Sequence, residues 1–489
     1  MIVDFLGDIS LAYANIDNKE QELIALSINQ QLGESDFRIA NLESPMLISD
    51  THKEALKEEE GEGAHLCMHA ETQSVFFDLL DVDAYGLANN HIFDYGESGL
   101  RDTLEWLEQN EKKHVGASMM ANSPYAPLIV EQVDARIAIF SICENEFGIA
   151  SERKAGAAGV NYRLVSEAID DWRGKVDIII IIYHGGNEHY PFPSPRQKDL
   201  FHRLADAGAD VVIGMHSHCP VGKEIYKGKE LYYGLGNFYF PKKTYSLYLN
   251  DNYGYIVRMT IENRRIVSSK ILSYYCDDTG GIWKMQQSNS AIFDKYFAEI
   301  SDVIANDNRL IELFQSWSMY YGKMLYQQLI ENAKSEKEVY SQNIIKNLFS
   351  CESHNELITE FLNTRYYFSD RIFDDSQDYI KHIIGMKDKS SDSCDEVVWG
   401  CTEKSYIFVN NEKKKGKKLW VIDSDVYKQG LYFAGLKVRP PKEIPDVDIY
   451  IGTSEKSFTK IQKELINLGI SKNRIKWIDS FVCANEVII

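Results

Sequence analysis

At 489 residues, 44% of them hydrophobic, the chain is long enough for about three domains with packed cores. A formal net charge of −20 and a pI near 5.1 argue against non-specific binding to nucleic acid or to an anionic membrane, since both need basic surface. That charge does not exclude an anionic substrate, because a metal site can dominate its local field. With no run of about 20 apolar residues, no membrane span is expected. The opening Met1-Ile-Val-Asp-Phe-Leu-Gly-Asp8 enters a strand directly, without a basic or long apolar leader, so no signal peptide is expected. The eight cysteines are scattered without a C-x-x-C pair, and they fit reduced thiols in a cytoplasmic protein.

In chain order, Ile2 to Leu6 reads as a short apolar strand ending in Gly7-Asp8, and a helix follows near Lys19 to Leu32. Phe37 to Pro45 is a second strand running into Asn41-Leu-Glu43-Ser. Asp50 to Gly63, with three consecutive glutamates, reads as a solvated acidic loop. A helix is expected over Ala70 to Leu80. The strand Ala84 to Ala88 then leads into Asn89-Asn90-His91-Ile-Phe-Asp94-Tyr-Gly96, and a helix over 98–110 places Leu100, Leu104 and Leu107 on one face. Ala135 to Cys143 is another apolar strand, ending at Glu144-Asn145-Glu146.

The stretch Val176 to His218 carries the most information. Val176-Asp-Ile-Ile-Ile-Ile-Ile-Tyr-His184 is β-branched without alternation, as in a strand buried on both faces. Arg196 to Ala207 has Leu200, Leu204 and Ala207 at helical spacing, with Gly208 to end it, and Val211-Val-Ile213 is a second buried strand ending in Gly214-Met-His216-Ser-His218. This β-α-β unit puts three imidazoles on the carboxyl edge of a parallel sheet, where open α/β sheets bind ligands. Neutral imidazole is a ligand for zinc, iron, manganese or nickel, and three buried without a metal or an anion would leave nitrogens to satisfy. Tyr232 to Phe240 reads as a strand with a glycine kink, and the residues around Glu262-Asn-Arg-Arg265 as an antiparallel hairpin.

Gly7-Asp8, Asn41-Leu-Glu43-Ser-Pro45, Asn89-Asn90-His91-x-x-Asp94, His184-Gly-Gly-Asn-Glu188, His216-Ser-His218 and Leu235-Gly-Asn237-Phe238 together, in this order, resemble the motifs of the CapA family of capsule and poly-γ-glutamate synthesis proteins. That family is related to calcineurin-like metallophosphoesterases, and the resemblance covers roughly residues 1–275. It implies a metallophosphoesterase-like layered α/β domain. It also implies two divalent ions (Mn, Fe or Zn), one held by Asp8, Glu43 and His218, the other by Glu43, Asn90, His184 and His216, with Glu43 bridging. His91 would be the acid or transition-state donor with Asp94 orienting its ring, while Glu188 and Asn237 would contact substrate or support the site. A helix start at Asn-Asn-His is the plain alternative for His91. Two positions depart from the wider pattern: Ser10 stands where phosphoesterases carry a histidine ligand, and Ser217 where the family often has proline. His189 and His202 read as bystanders.

Residues 282–387 place aromatic and apolar side chains at helical spacing, as in Ile311, Leu313, Phe314, Trp317 and Tyr321, so a helical region is expected. A polar linker over 388–395 precedes a small Rossmann-like α/β domain over 396–489. There Asp423 lies about 20 residues after Gly400, but the Gly-rich fingerprint is incomplete, so a structural or partner-binding role ranks ahead of dinucleotide binding.

The expectation is therefore an α/β protein in three parts, 1–275, 282–387 and 396–489. Its expected activity is that of a divalent-metal-dependent hydrolase, phosphoesterase in type, serving capsule or other surface-polymer biosynthesis. Its substrate would be a small phosphorylated or polymeric molecule. The helical and C-terminal regions are candidate surfaces for self-association or assembly partners. An amide hydrolase acting on a glutamyl polymer, and a non-catalytic assembly subunit that binds polymer or phosphate, are the alternatives.

Overall fold

The computed structural model describes residues 1–48, 65–120, 124–132, 135–241, 249–276, 283–285, 291–333, 339–364, 376, 379–380 and, with short interruptions, 394–478. The acidic stretch 50–63 and all but the last two residues of the 388–395 linker lie outside the described residues. The chain divides into two compact units. The larger comprises Met1–Lys242 with Asp251–Gln377, and the smaller Lys243–Asn250 with Asp378–Ile489.

The larger unit is α/β throughout its first part. In chain order its main elements are β1 (Ile2–Ile9), α1 (Asn18–Leu32), β2 (Phe37–Leu42), α2 (Ala70–Leu79), β3 (Ala84–Gly86), α3 (Gly96–Gln109), β4 (Lys113–Val115), β5 (Leu128–Gln132) and β6 (Ala135–Cys143). They continue with α4 (Tyr162–Trp172), β7 (Ile178–His184), α5 (Pro195–Ala207), β8 (Val211–Met215), β9 (Val221–Tyr226), β10 (Lys229–Gly234) and β11 (Asn237–Tyr239). Then come β12 (Tyr253–Glu262), β13 (Arg265–Cys276) and β14 (Trp283–Met285), followed by four helices, α6 (Ala291–Ile304), α7 (Asp307–Ala333), α8 (Val339–Ser350) and α9 (Glu352–Thr364).

Two sheets form the core. The first runs β14-β13-β12-β1-β2-β3-β4, with β11 added parallel to β1; the second runs β9-β10-β8-β7-β6-β5. The strands that matter for the site are parallel: β1, β2, β3 and β4 in one sheet, and β6, β7, β8 and β10 in the other. The burial of β7 and β8 on both faces explains why their sequences are unbroken Ile and Val runs rather than alternating ones. Ser194 caps α5 by accepting from Gln197 N–H, and Pro195 sits in its first turn, a signal at the helix start that the apolar spacing does not carry.

The glycine kink expected in Tyr232–Phe240 turns out to be a change of sheet. β10 belongs to the second sheet and β11 to the first, and Gly236, at φ +79°, makes the crossing. β1 bulges where it meets β11, and there a Cβ on Gly7 would stand 1.9 Å from the carbonyl oxygen of Gly236. That close approach sets Asp8 level with Asn237 on one side and with Asn41 on the other. The hairpin around Glu262–Arg265 is present, its turn formed by Asn263 and Arg264 at positive φ.

Helical structure starts at Ala291 rather than at 282. Trp283–Met285 is instead an edge strand, because Trp283 stacks on Tyr274 and donates from Nε1 to the Phe238 carbonyl at 3.0 Å. The helices pack on the α/β part. Tyr190, after β7, stacks on Trp317 of α7 at 4.8 Å, and Lys198 of α5 donates to the Ile304 carbonyl at 2.7 Å. The smaller unit has a sheet whose parallel strands are ordered Leu436–Arg439, Leu419–Ile422, Glu396–Trp399, Asp448–Ile451, Ile475–Trp477, with Tyr432–Phe433 antiparallel at the edge beside Leu436–Arg439, and with helices Glu403–Lys414 and Glu455–Asn467. This is the Rossmann-like arrangement, with the first strand central. Asp423 does not stand open for a ribose: its carboxylate accepts from Cys401 N–H at 2.9 Å and lies 3.5 Å from Lys428. Among the described residues no helix is long and apolar enough to cross a membrane.

Gly7→Ala is expected to push β11 off β1, cost about 1–3 kcal/mol in urea unfolding, as overpacking of a tight contact does, and lower the bound metal. A variant with unchanged stability and unchanged metal content would show that this contact does not set the site.

Candidate metal centre

The carboxyl ends of both sets of parallel strands meet at one place. Asp8 comes from β1, Glu43 follows β2, Asn90 and His91 follow β3, His184 ends β7, and His216 and His218 follow β8. The structure thus brings together all six residues expected to ligate metal. One oxygen of Glu43 and one nitrogen each of His184 and His216 lie within 4.8 Å of one another, as do single donor atoms of Asp8, Glu43 and His218. Glu43 is common to both groups, and Asn90 Oδ1 approaches His184 Nε2 at 3.1 Å. These are borderline-hard oxygen and nitrogen donors around a shared carboxylate, a set suited to a pair of Mn, Fe or Zn ions.

The electrostatics favour ligand forms. Burial pushes the His184 imidazole down to about 4, and burial likewise lowers His218, so both are neutral and able to donate a lone pair at pH 7. Burial alone would raise Asp8, but the hydrogen bond and charge of His184, the charge of His218 and the backbone N–H of His216 outweigh it and hold the carboxyl low. Protein packing would likewise raise Glu188, yet the imidazoles of His218, His216, His189 and His91 bring it to about 2.

Supporting contacts hold Asp8 and the three histidines. Asp8 Oδ2 accepts from His216 N–H at 2.9 Å, and Asn41 Nδ2 donates to Asp8 Oδ1 at 2.8 Å while lying 3.1 Å from His184 Nδ1. Asn237 Oδ1 is 2.8 Å from His218 Nδ1, which turns His218 Nε2 toward Glu43, 3.8 Å away. Asn237 therefore sits behind a candidate ligand. His216 and His218 are at φ +82° and +55°, a left-handed backbone that non-glycine residues hold only when their surroundings force it, as functional sites do. His189 shares this conformation at φ +59°.

His91 Nδ1 lies 2.8 Å from Asp94 Oδ2, and the same oxygen accepts from Leu66 N–H at 2.7 Å. Asn89 Oδ1 accepts from His91 N–H and Ile92 N–H at 3.1 and 2.8 Å, a turn that precedes the helix. The helix itself starts at Gly96 with Tyr95 at its N-cap position, so His91 does not cap it. Glu188 Oε1 is 3.9 Å from His216 Nε2, at the edge of the cluster. Ser10 bonds Ser44 hydroxyl to hydroxyl at 2.6 Å and adds no metal donor of the imidazole kind. His202 stands apart, on Glu224 and stacked on Tyr226.

Sequence reasoning did not assign three roles. Asn41 and Asn89 were visible only as letters inside motifs, and their function depends on register between strands. His189, read as a bystander, lies beside the cluster: its Nδ1 is 2.9 Å from Asp251 Oδ2, and its ring is 5.8 Å from that of His218. Asp251 lies 62 residues further on, in a 3-10 turn that no local pattern links to the site.

Replacing His216 with Ala is expected to lower the metal content of the purified protein, read by elemental analysis, with the circular dichroism unchanged. Full metal occupancy in that variant would contradict the ligand assignment.

The sequence is similar to known proteins. Residues 3–242 match the family model described as bacterial capsule synthesis protein PGA_cap. The chain is 29% identical over 222 residues to the capsule biosynthesis protein CapA of Bacillus anthracis, 44% of this chain and 53% of that protein. It is 28% identical over 245 residues to the PGA biosynthesis protein CapA of Bacillus subtilis (strain 168), 49% of this chain and 63% of that protein. A probable polyglutamine synthesis accessory protein of Mycobacterium tuberculosis is 31% identical over 164 residues, 31% of this chain and 43% of that protein. The chain thus spans about half to three-fifths of the length of the two CapA relatives. Residues 3–242, which carry every candidate ligand, belong to the bacterial capsule synthesis (PGA_cap) family, a relative of the metallophosphoesterases.

Proposed function

We propose that the protein is a divalent-metal-dependent hydrolase of phosphoesterase type that acts in capsule or other surface-polymer biosynthesis. The observation that carries this reading is the shared carboxylate, Glu43, which completes two donor groups in one buried cluster. Divalent ions held there would supply an activated water and polarise the phosphoryl group whose phosphorus it attacks. The chain's own residues do the rest. Asp8 and Glu43 bring negative charge to hold the ions. Asn41 and Asn237 orient the rings of His184 and His218, and the Asp8 carboxylate holds the backbone of His216. His91, next to the ligand Asn90 and backed by Asp94, is placed to hand a proton to the leaving oxygen or to stabilise charge there. The capsule, PGA and polyglutamine names of the relatives support the setting of a surface polymer.

Those same names favour a second reading, an amide hydrolase acting on a glutamyl polymer through the same cluster. A panel of phosphomonoester, phosphodiester and γ-glutamyl substrates separates the two.

If His91 is the donor, His91→Ala is expected to keep nearly all its metal while turnover falls by about 10²–10⁴. Asp94→Asn is expected to lose less, since it only orients the ring. A His91→Ala enzyme with full activity and a normal pH profile would remove His91 from the mechanism.

A further inference from the structure

A cavity of about 420 Å³ opens beside the candidate metal centre. One side is made by Asn90, His91, Glu188 and His216. The opposite side belongs to the helices that follow the family domain, and it is mixed: Trp317, Tyr321, Met324 and Leu325 of α7, Leu348 of α8 and Leu357 of α9 stand beside the uncharged amides of Gln328 and Asn347 and beside Ser353 and His354. Two lining residues, Glu146 and Glu188, are carboxylates, and no lysine or arginine is among the described lining residues.

This wall is held in place rather than merely nearby. Arg196 of α5 reaches Glu144 at 2.9 Å, Glu352 at 3.3 Å and Glu356 at 3.0 Å, the last two on α9. Glu144 also accepts from Gly186 N–H at 2.8 Å, in the loop that carries Glu188. Tyr190 in that loop stacks on Trp317. The helices and the site loop therefore share one set of anchors, and the cavity is formed before a ligand enters.

Among the described lining residues a polyanion would find no lysine or arginine to neutralise its further charges, and each further carboxylate would face Glu146 or Glu188. An uncharged apolar group would be removed from water against Trp317 and the leucines. A volume of this size exceeds what a phosphoryl group alone needs and matches a pocket for a small organic molecule. From this we infer that the substrate is a phosphoester whose organic part, next to the phosphoryl group, is uncharged and apolar or aromatic, and that the helical region selects it. The inference rests on the proposed phosphoesterase reading.

The test uses the full-length, metal-loaded protein and two non-hydrolysable probes, methylphosphonate and 2-phenylethylphosphonate, with calorimetric Kd as the readout. Short oligo-γ-glutamate is the comparison. The phenylethyl compound is expected to bind about 10–100-fold tighter than the methyl one, the gain of burying one ring. Trp317→Ala is expected to collapse that preference to within about threefold. Because Trp317 is buried and its loss could disturb packing, Met324→Gln, on a partly exposed position, serves as the second variant and is expected to reduce the preference by a smaller factor. In protein labelled with 5-fluorotryptophan, the Trp317 resonance, assigned by its absence from Trp317→Phe, is expected to shift with the phenylethyl probe and not with the methyl one. Equal affinity for the two phosphonates, an unmoved Trp317 resonance, or tighter binding of oligo-γ-glutamate overturns the inference while leaving the metal–phosphoryl reading standing. Absence of binding by both phosphonates overturns that reading and the inference together.

Discussion

The carboxylate of Asp8 joins the two halves of the core. It leaves the first sheet at the end of β1, is fully buried, and accepts the backbone N–H of His216, which follows β8 in the second sheet. That bond joins the side-chain ties of Asn41 and Asn90 to His184 and of Asn237 to His218 across the two carboxyl edges, and without it a buried carboxylate would lack a partner that costs no side-chain entropy. With it, the His216–His218 turn is held in its left-handed conformation, and the imidazoles are brought to Glu43. The close passage of Gly7 under Gly236 serves the same end from the other side, because it allows β11 to carry Asn237 up to His218.

Much of this was legible in the sequence because its cause is local. Unbroken Ile and Val runs in β7 and β8 follow from burial on both faces, and His184 and His216 follow from their place at the strand ends. The ordered motifs named the candidate metal donors, and the structure brings those residues together. What was not legible depends on register and on distant chain. Asn41 acts through its level with Asp8, and His189 through Asp251. The glycine in Tyr232–Phe240 was visible as a kink, but that it moves the chain between sheets is a property of pairing. Trp283 was read with the helices because its spacing fits either period, and only its stacking on Tyr274 decides for a strand.

The helices after the family domain line the cavity beside the candidate metal centre. In the larger unit they are packed against the loop that follows β7, through Tyr190 and through the Arg196 cluster of carboxylates. Removing one partner from such a partly buried network leaves charge uncompensated, so the wall and the loop are held as a pair. Chemistry would then belong to the strand ends and selection to the added helices, a division common where one scaffold serves several substrates. The smaller unit carries a Rossmann-like sheet whose Asp423 is spent on Cys401, which fits a structural or partner-binding role better than a nucleotide site.

The central claim is that Glu43 is shared by two metal ions. Anomalous diffraction from crystals of protein loaded with manganese or zinc, collected on both sides of the metal edge, tests it directly. The account predicts two peaks about 3.5–4 Å apart, one among Asp8, Glu43 and His218, the other among Glu43, His184 and His216. Peaks elsewhere on the protein, or none within the buried cluster at saturating metal, would contradict it.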